Sequence, residues 1–250
     1  MKRFILIFLL FLSVGLLSFA ENKILKQAND FYAAGDFANA AIQYEKVLVE
    51  NGNAPELYYN LGNAYYRTNE IGRSILNYER ALRLSPLFED AKVNLQFANL
   101  KVVDNIVQTP SFFLSIWMSG LIKLLTSNQW FIISFVVFII TLICSLIFIF
   151  GTTKQLRKNS FYVGSILLVV AILTISFSGI RKSQMESHNE AIVISGLVVA
   201  KSTPDHSGTD LFQIHEGTKV LIKSSLGKWI EIELGNGNIG WVEQLNIERI

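Results

Sequence analysis

Cysteine is nearly missing from this 250-residue chain: Cys144 stands alone inside an apolar run. No intramolecular disulfide is possible, so any exported domain must be held by packing alone. No cysteine follows the N-terminal apolar run, which excludes a lipid-anchored start. Charge is also scarce, at 17% against 51% hydrophobic residues, and mean hydropathy is +0.38. That balance is too apolar for an ordinary soluble protein of this length and directs attention to membrane spans. Catalytic motifs are missing too. His188, His206 and His215 form no H-x3-H or H-E-x-x-H pair of the kind a zinc site uses. There is no G-x-S-x-G turn, no Walker A loop and no cysteine outside the apolar run to act as nucleophile. The expectation is a non-enzyme with no metal and no cofactor.

Charge becomes informative when divided by segment. Residues 21–108 carry 9 basic and 11 acidic side chains, and residues 183–250 carry 5 and 9. The remaining basic residues flank the hydrophobic runs, so the formal net charge of +2 reports topology. The soluble parts are mildly acidic, which argues against nucleic acid as a partner.

Residues 1–20 read as a secretory signal. Lys2 and Arg3 precede an apolar run, and Ser18 and Ala20 place small residues before a cleavage point at Glu21. The alternative is an uncleaved anchor helix; either way, the chain from Glu21 onward is exported. Residues 130–150 and 161–180 contain no Asp, Glu, Lys, Arg or His, and each is long enough to cross about 30 Å of hydrocarbon as a helix. The joining segment 151–160 holds Lys154, Arg157 and Lys158 and no acid, so the positive-inside rule makes it a cytoplasmic loop. Both large flanks then face outward, in agreement with the signal segment. Residues 110–125 are apolar but interrupted by Lys123; Phe112, Phe113, Ile116 and Trp117 suggest a helix in the headgroup region. The alternative is a buried helix packing on the helical repeats upstream of it.

A self-match appears at a period of 34 residues. Tyr58, Leu61, Gly62, Tyr65, Ser74, Tyr78, Ala81 and Pro86 fit the spacing W/Y-x2-L-G-x2-Y, then small, aromatic, Ala and Pro. One period earlier the pattern holds at Ala28, Phe31, Ala40 and Tyr44 and departs at Gln27 and Gly52. This is the pattern of a tetratricopeptide repeat, with repeats over 21–54 and 55–88. Small residues let antiparallel helices approach, aromatics fill the gaps, and Pro86 ends the last helix. Residues 88–105 are expected to form a helix that caps the open end of the solenoid. An unrelated four-helix bundle is the alternative. Asn60, Asn63 and Arg67 share a face of the first helix of the second repeat, and Tyr66 lies beside it. Asn63 and Tyr66 recur as Asn29 and Tyr32. None is needed by the repeat pattern itself, which makes the four candidates for a protein-binding groove; a merely solvated face is the other reading.

From residue 190 the texture changes to short Val- and Ile-rich runs punctuated by Gly and Asn. Strands are expected at 191–194, 198–201, 210–214, 219–224, 229–233 and 238–242, enough for a small barrel over 190–250. Trp229 and Trp241 read as core or rim residues, with ligand contact as the alternative. Gly235, Gly237 and Gly240 fit G-x-G-x-x-G, but strands on both sides and the Asn236-Gly237 pair make a hairpin turn the better reading.

The tail resembles bacterial SH3-like domains through Val198–Pro204, Leu211–Val220, Trp229–Ile232 and Gly240–Val242, with Glu216-Gly217 before Thr218-Lys219-Val220 and the Gly-Trp-Val ending as the most specific pieces. Val-Ala-Lys-Ser-Thr-Pro stands where that family commonly has Asn-Val-Arg-Ser-Gly-Pro. The whole order of signal, repeat pair, two spans and SH3-like tail resembles the BatE proteins of the Bacteroides aerotolerance operons. The fold class implied is a multi-domain membrane protein: an α-helical tetratricopeptide solenoid, a transmembrane helical hairpin and a small all-β SH3-like barrel. The resemblance implies a two-pass protein of a bacterial inner membrane with both soluble domains periplasmic. It would act as a non-catalytic scaffold in an envelope- or oxidative-stress complex, with von Willebrand A-domain membrane proteins as partners. The other expectation is a peptidoglycan-binding tether or sensor that acts through the tail.

Overall fold

The computed structural model describes residues 23–106, 112–187 and 189–250. The expected signal at 1–20, the first residues of the 110–125 stretch and His188 lie outside the described residues. The chain divides into two compact units, Met1–Gly52 and Asn53–Ile250.

In the first unit α1 (Lys23–Ala33) and α2 (Phe37–Asn51) form a helical hairpin. Gly35 takes the left-handed conformation at φ +81°, which lets the Asp36 N–H reach back to the Phe31 carbonyl at 2.9 Å. Asp36 then caps α2 through the Asn39 N–H and side-chain amide. Ala28, Ala40, Tyr44 and Val47 are buried.

The second unit begins with α3 (Pro55–Arg67) and α4 (Ile71–Leu84). Pro55 sits at the first helical position, where its missing N–H costs nothing, and Glu56 and Arg67 complement the helix dipole. Asn69 repeats the role of Gly35 one period later: it has φ +64°, and the Glu70 N–H reaches the Tyr65 carbonyl at 2.9 Å. Gly62 allows the two helices to touch, since a Cβ there would lie 2.7 Å from the Tyr78 ring. The chain leaves α4 at Ser85, just before Pro86.

The helix α5 (Glu89–Asn99) is shorter than the 88–105 expected. Its continuation is drawn away by the C-terminal sheet: Val102 joins the cluster under α4, Asp104 hydrogen-bonds the sheet and Ile106 packs against the sheet's core. The end of the repeat is therefore covered by β-structure as well as by a helix.

The helix α6 (Phe113–Lys123) exposes Phe113, Ile116 and Trp117, and packs through Ile122 on Trp130 and Phe177. Those two residues belong to α7 (Ser127–Phe150) and α8 (Lys154–Glu186), two helices long and apolar enough to cross a membrane. A Thr126–Gln129 capping box starts α7. Small residues line the α7–α8 contact: Ser134 Oγ donates to the Ala171 carbonyl, and Ser127 and Ser178 each donate to the other's carbonyl. The basic segment 151–160 is a loop only as far as Thr153, whose hydroxyl accepts the Leu156 N–H and starts α8 at Lys154. Nothing in 154–160 breaks a helix, so the 33 residues of α8 run about 50 Å, longer than the roughly 30 Å that a hydrocarbon core needs.

Beyond α8 come β1 (Glu190–Val193), β2 (Leu197–Lys201), β3 (Asp210–His215), β4 (Lys219–Leu226), β5 (Trp229–Glu233), β6 (Ile239–Glu243) and β7 (Ile247–Arg249). They form an antiparallel sheet in the order β3-β2-β6-β5-β4-β1-β7. The sheet is open, with β3 and β7 at its edges, whereas the sequence pattern led to a closed barrel. The seventh strand was not expected: three residues after a 3-10 turn are too few to show alternation. Bulges after Ala200 and after Ile222 bend β2 and β4 around a core that includes Val198, Ile214, Val220, Ile232 and Val242. The 235–240 glycines form the β5–β6 hairpin: Gly237 has φ +88°, and the Leu234 N–H donates to the Asn238 carbonyl at 2.9 Å.

Candidate protein-binding surface

The four candidates on α3 meet different fates. Asn63 is engaged: its Oδ1 accepts the Tyr78 hydroxyl at 2.7 Å and the Asn94 amide at 2.8 Å, tying α3 to both α4 and α5. The same bond occurs one period earlier, where Tyr44 donates to Asn29 Oδ1 at 2.7 Å. Burial, with Tyr32 nearby, pushes the Tyr44 hydroxyl up to about 12, so it remains a donor at any working pH. The 34-residue recurrence of Asn is therefore part of the repeat's own packing, a role the sequence pattern did not disclose. Tyr66 packs against the cluster formed by Ile71, Ile75 and Ala98, with Lys101 Nζ 4.2 Å from its ring centre. Asn60 is half-buried, and Arg67 is exposed in the last turn of α3.

The residues that define the repeat lie in its interior. Leu61, Gly62, Tyr65, Tyr78 and Ala81 are buried, and Ser74 donates to the Gly62 carbonyl at 2.9 Å. Tyr58 and Phe31 are half-buried, and Pro86 is half-buried after the end of α4. Beside the four candidates, the Tyr59 ring packs at a tilt on Phe88, with centroids 5.0 Å apart, and its hydroxyl receives the Asn94 amide at 3.3 Å. The face of α3 toward α5 is thus a packed joint.

What sequence reasoning missed is that repeat and sheet join directly. Ile71, Ile75 and Leu76 of α4 share one buried cluster with Ile192 of β1 and Ile250. Two glycines permit the approach. A Cβ on Gly72 would lie 2.7 Å from the Val193 carbonyl oxygen, and one on Gly217 would lie 2.7 Å from Val102. Polar clasps surround the cluster. Asp104 accepts the His215 N–H and the Thr218 hydroxyl, both at 2.6 Å, and lies 2.8 Å from His215 Nδ1. Burial raises the Asp104 carboxyl, but these hydrogen bonds and the facing His215 outweigh it and hold it below its usual value. Arg80 pairs with Glu248 at 3.0 Å and donates to the Arg249 carbonyl at 2.6 Å. Arg83 donates to the Gln184 and Met185 carbonyls and to an oxygen of Ile250, and Arg181 of α8 donates back to the Arg83 carbonyl. Arg181, a cation just past an uncharged run, was the sequence signal of this joint.

Trp229 and Trp241 are half-buried on neighbouring strands, and Trp229 meets the His206 ring edge-on at 5.3 Å. Among the described residues no group of three or more His, Cys, Asp or Glu side chains is placed to hold a metal ion.

No curated protein matches the chain. Residues 55–88, the span of α3, α4 and the turn after them, match the tetratricopeptide repeat family. Such repeats are typically non-catalytic protein-interaction modules, so the second unit carries a tetratricopeptide repeat suited to binding protein partners.

Proposed function

We propose that the chain is a non-catalytic, membrane-anchored adaptor that holds a partner protein on its tetratricopeptide repeat. The observation that carries this reading is the match of residues 55–88 on a unit that also contains two helices long and apolar enough to cross a membrane. The proposed contact surface is the exposed side of α3. Asn60 and Arg67 meet the partner, while Asn63 and Tyr66 hold the helix in place beneath them. The basic residues between the spans support an orientation with residues 21–108 and 190–250 on the periplasmic side of a bacterial inner membrane. The order of segments supports membership in a BatE-type assembly, with von Willebrand A-domain membrane proteins as partners. The Gly-Trp-Val and Glu-Gly features of the tail support an SH3-like ancestry for the open sheet.

Affinity capture of the tagged full chain from cross-linked membranes tests the reading. Arg67→Glu with Asn60→Ala should lose the captured membrane proteins while the chain stays folded. Deleting the repeat is the poorer test, because α4 covers part of the sheet. Capture of wall fragments alone, indifferent to the α3 substitutions, would replace the adaptor with a peptidoglycan tether.

A further inference from the structure

A cleft of about 530 Å³ opens where the end of α4, the end of α8 and the start of β1 meet. Arg83, Lys92, Lys123, Arg181 and Lys219 line it. Glu79 and Glu190, acids on its wall among the described residues, are both held by Lys219, at 3.2 and 3.1 Å. Glu190 is also the acid that faces Arg181. Arg83 donates to the Gln184 and Met185 carbonyls and to an oxygen of Ile250, which together satisfy its hydrogen bonds. Lys92 pairs with Glu89 at 3.5 Å, with both side chains exposed.

Arg181 carries the argument. It is 6% exposed, and its terminal nitrogen donates to the Arg83 carbonyl, yet its Nε has no hydrogen-bond partner. One turn further along α8, Gln184 Oε1 is buried and also without a partner. A buried guanidinium donor and a buried amide acceptor without partners, on the wall of a cleft lined by five cations, suit a ligand that carries both an anionic oxygen and a hydroxyl.

The place of the cleft says which anion. Arg181 comes one helical turn after Phe177, and Lys123 comes directly after Ile122; Phe177, Ile122 and Trp130 form the apolar cluster at this end of the hairpin. The cleft therefore opens where lipid-facing surface gives way to polar surface, at headgroup depth. Basic pockets between membrane helices on the cytoplasmic side hold anionic headgroups, and the same charge pairing operates wherever such a pocket meets an anionic leaflet.

We propose that this cleft binds the phosphate of an anionic phospholipid. Arg181 Nε donates to a phosphate oxygen, Lys92 and Lys123 supply charge at the mouth, and Gln184 Oε1 accepts a headgroup hydroxyl. The bound lipid fixes the repeat-and-sheet body to the membrane surface. The inference rests on α7 and α8 crossing the bilayer, so recovery of the chain in the membrane fraction is checked first and separately.

The test is thermal unfolding of the purified full chain in neutral detergent. Phosphatidylglycerol, about a hundredfold above its Kd, should raise Tm by about 5–10 °C, and phosphatidylcholine should not. The exposed-residue variant Lys92→Gln with Lys123→Gln should lose most of that rise, while Lys154→Gln at the other end of α8 keeps it. Arg181→Lys, which preserves charge and removes Nε, should weaken it. Equal shifts with phosphatidylcholine, equal losses in Lys154→Gln, or no shift at all would overturn the proposal. A full shift from inorganic phosphate alone would overturn the lipid source and leave a free-anion site.

Discussion

The Tyr78 hydroxyl donates to Asn63 Oδ1 at 2.7 Å, and Tyr44 donates to Asn29 Oδ1 at the same distance 34 residues earlier. Each bond joins the first helix of a hairpin to the second at one level of the repeat. The aromatic that fills the gap between helices is thus also anchored by its polar end, which fixes the rotation of one helix against the other.

This bond predicts a separation among the α3 polar residues. Asn63→Ala removes the oxygen that the buried Tyr78 hydroxyl and the Asn94 amide share and should cost about 1–3 kcal/mol. Asn60→Ala should stay within about 0.5 kcal/mol of the parent. Denaturant unfolding of the full chain in detergent measures both; equal costs would mean that Asn63 has no special structural part.

Gly72 predicts how tightly repeat and sheet are joined. A Cβ there meets a backbone oxygen at 2.7 Å, and backbone yields less readily than a side chain. Gly72→Ala should cost about 1–3 kcal/mol and raise amide exchange in both α4 and β1. Faster exchange confined to α4 would show that the two do not share a cooperative unit.

Asp104 predicts an acid limb. Its carboxyl is held below the usual value when folded, so its contribution is fully present above the unfolded carboxylate pKa of about 3.9. The contribution fades as pH falls through the lower folded value. Asp104→Asn should be less stable than the parent near pH 7, and the gap should close on acidification below about pH 4. A gap independent of pH would remove the carboxylate's charge from the explanation.

The membrane reading predicts sidedness. In a Cys144→Ala background, Asn159→Cys and Asn236→Cys should react with an impermeant maleimide from opposite sides of a sealed vesicle. Labelling from the same side would mean that α8 does not cross.

Several features could be read without coordinates because the signal is local. The 34-residue period places a small residue at Gly62 and an aromatic at Tyr78, and the two meet in the structure because close helix approach needs a residue without a side chain. Uncharged runs announced α7 and α8. The bounds of α5 and α8 were missed for opposite reasons. Residues 154–160 read as a loop because their charges drew attention, although nothing there breaks a helix. Residues 100–105 read as helix because the apolar period continues, although Val102, Asp104 and Ile106 are claimed by the sheet.

The candidate surface was half legible. Sequence spacing put Asn60, Asn63 and Arg67 on one face, but it could not tell an asparagine that solvates a groove from one that receives a tyrosine 15 residues away. That distinction depends on the partner across the hairpin.

By itself the sequence determined the composition of the parts: a tetratricopeptide repeat, two apolar helices and a run of short strands, each written in periodicity within a few dozen residues. Only the tertiary structure decided that the sheet is open, that β7 completes its edge beside β1, and that α4 lies against it through Ile75 and Ile192. It also decided that Arg83 and Arg181 bind each other's helices across 98 residues of chain. Contacts of that range leave no period in a sequence, because each side is specified by shape and by open hydrogen-bonding groups that exist only after the elements have formed.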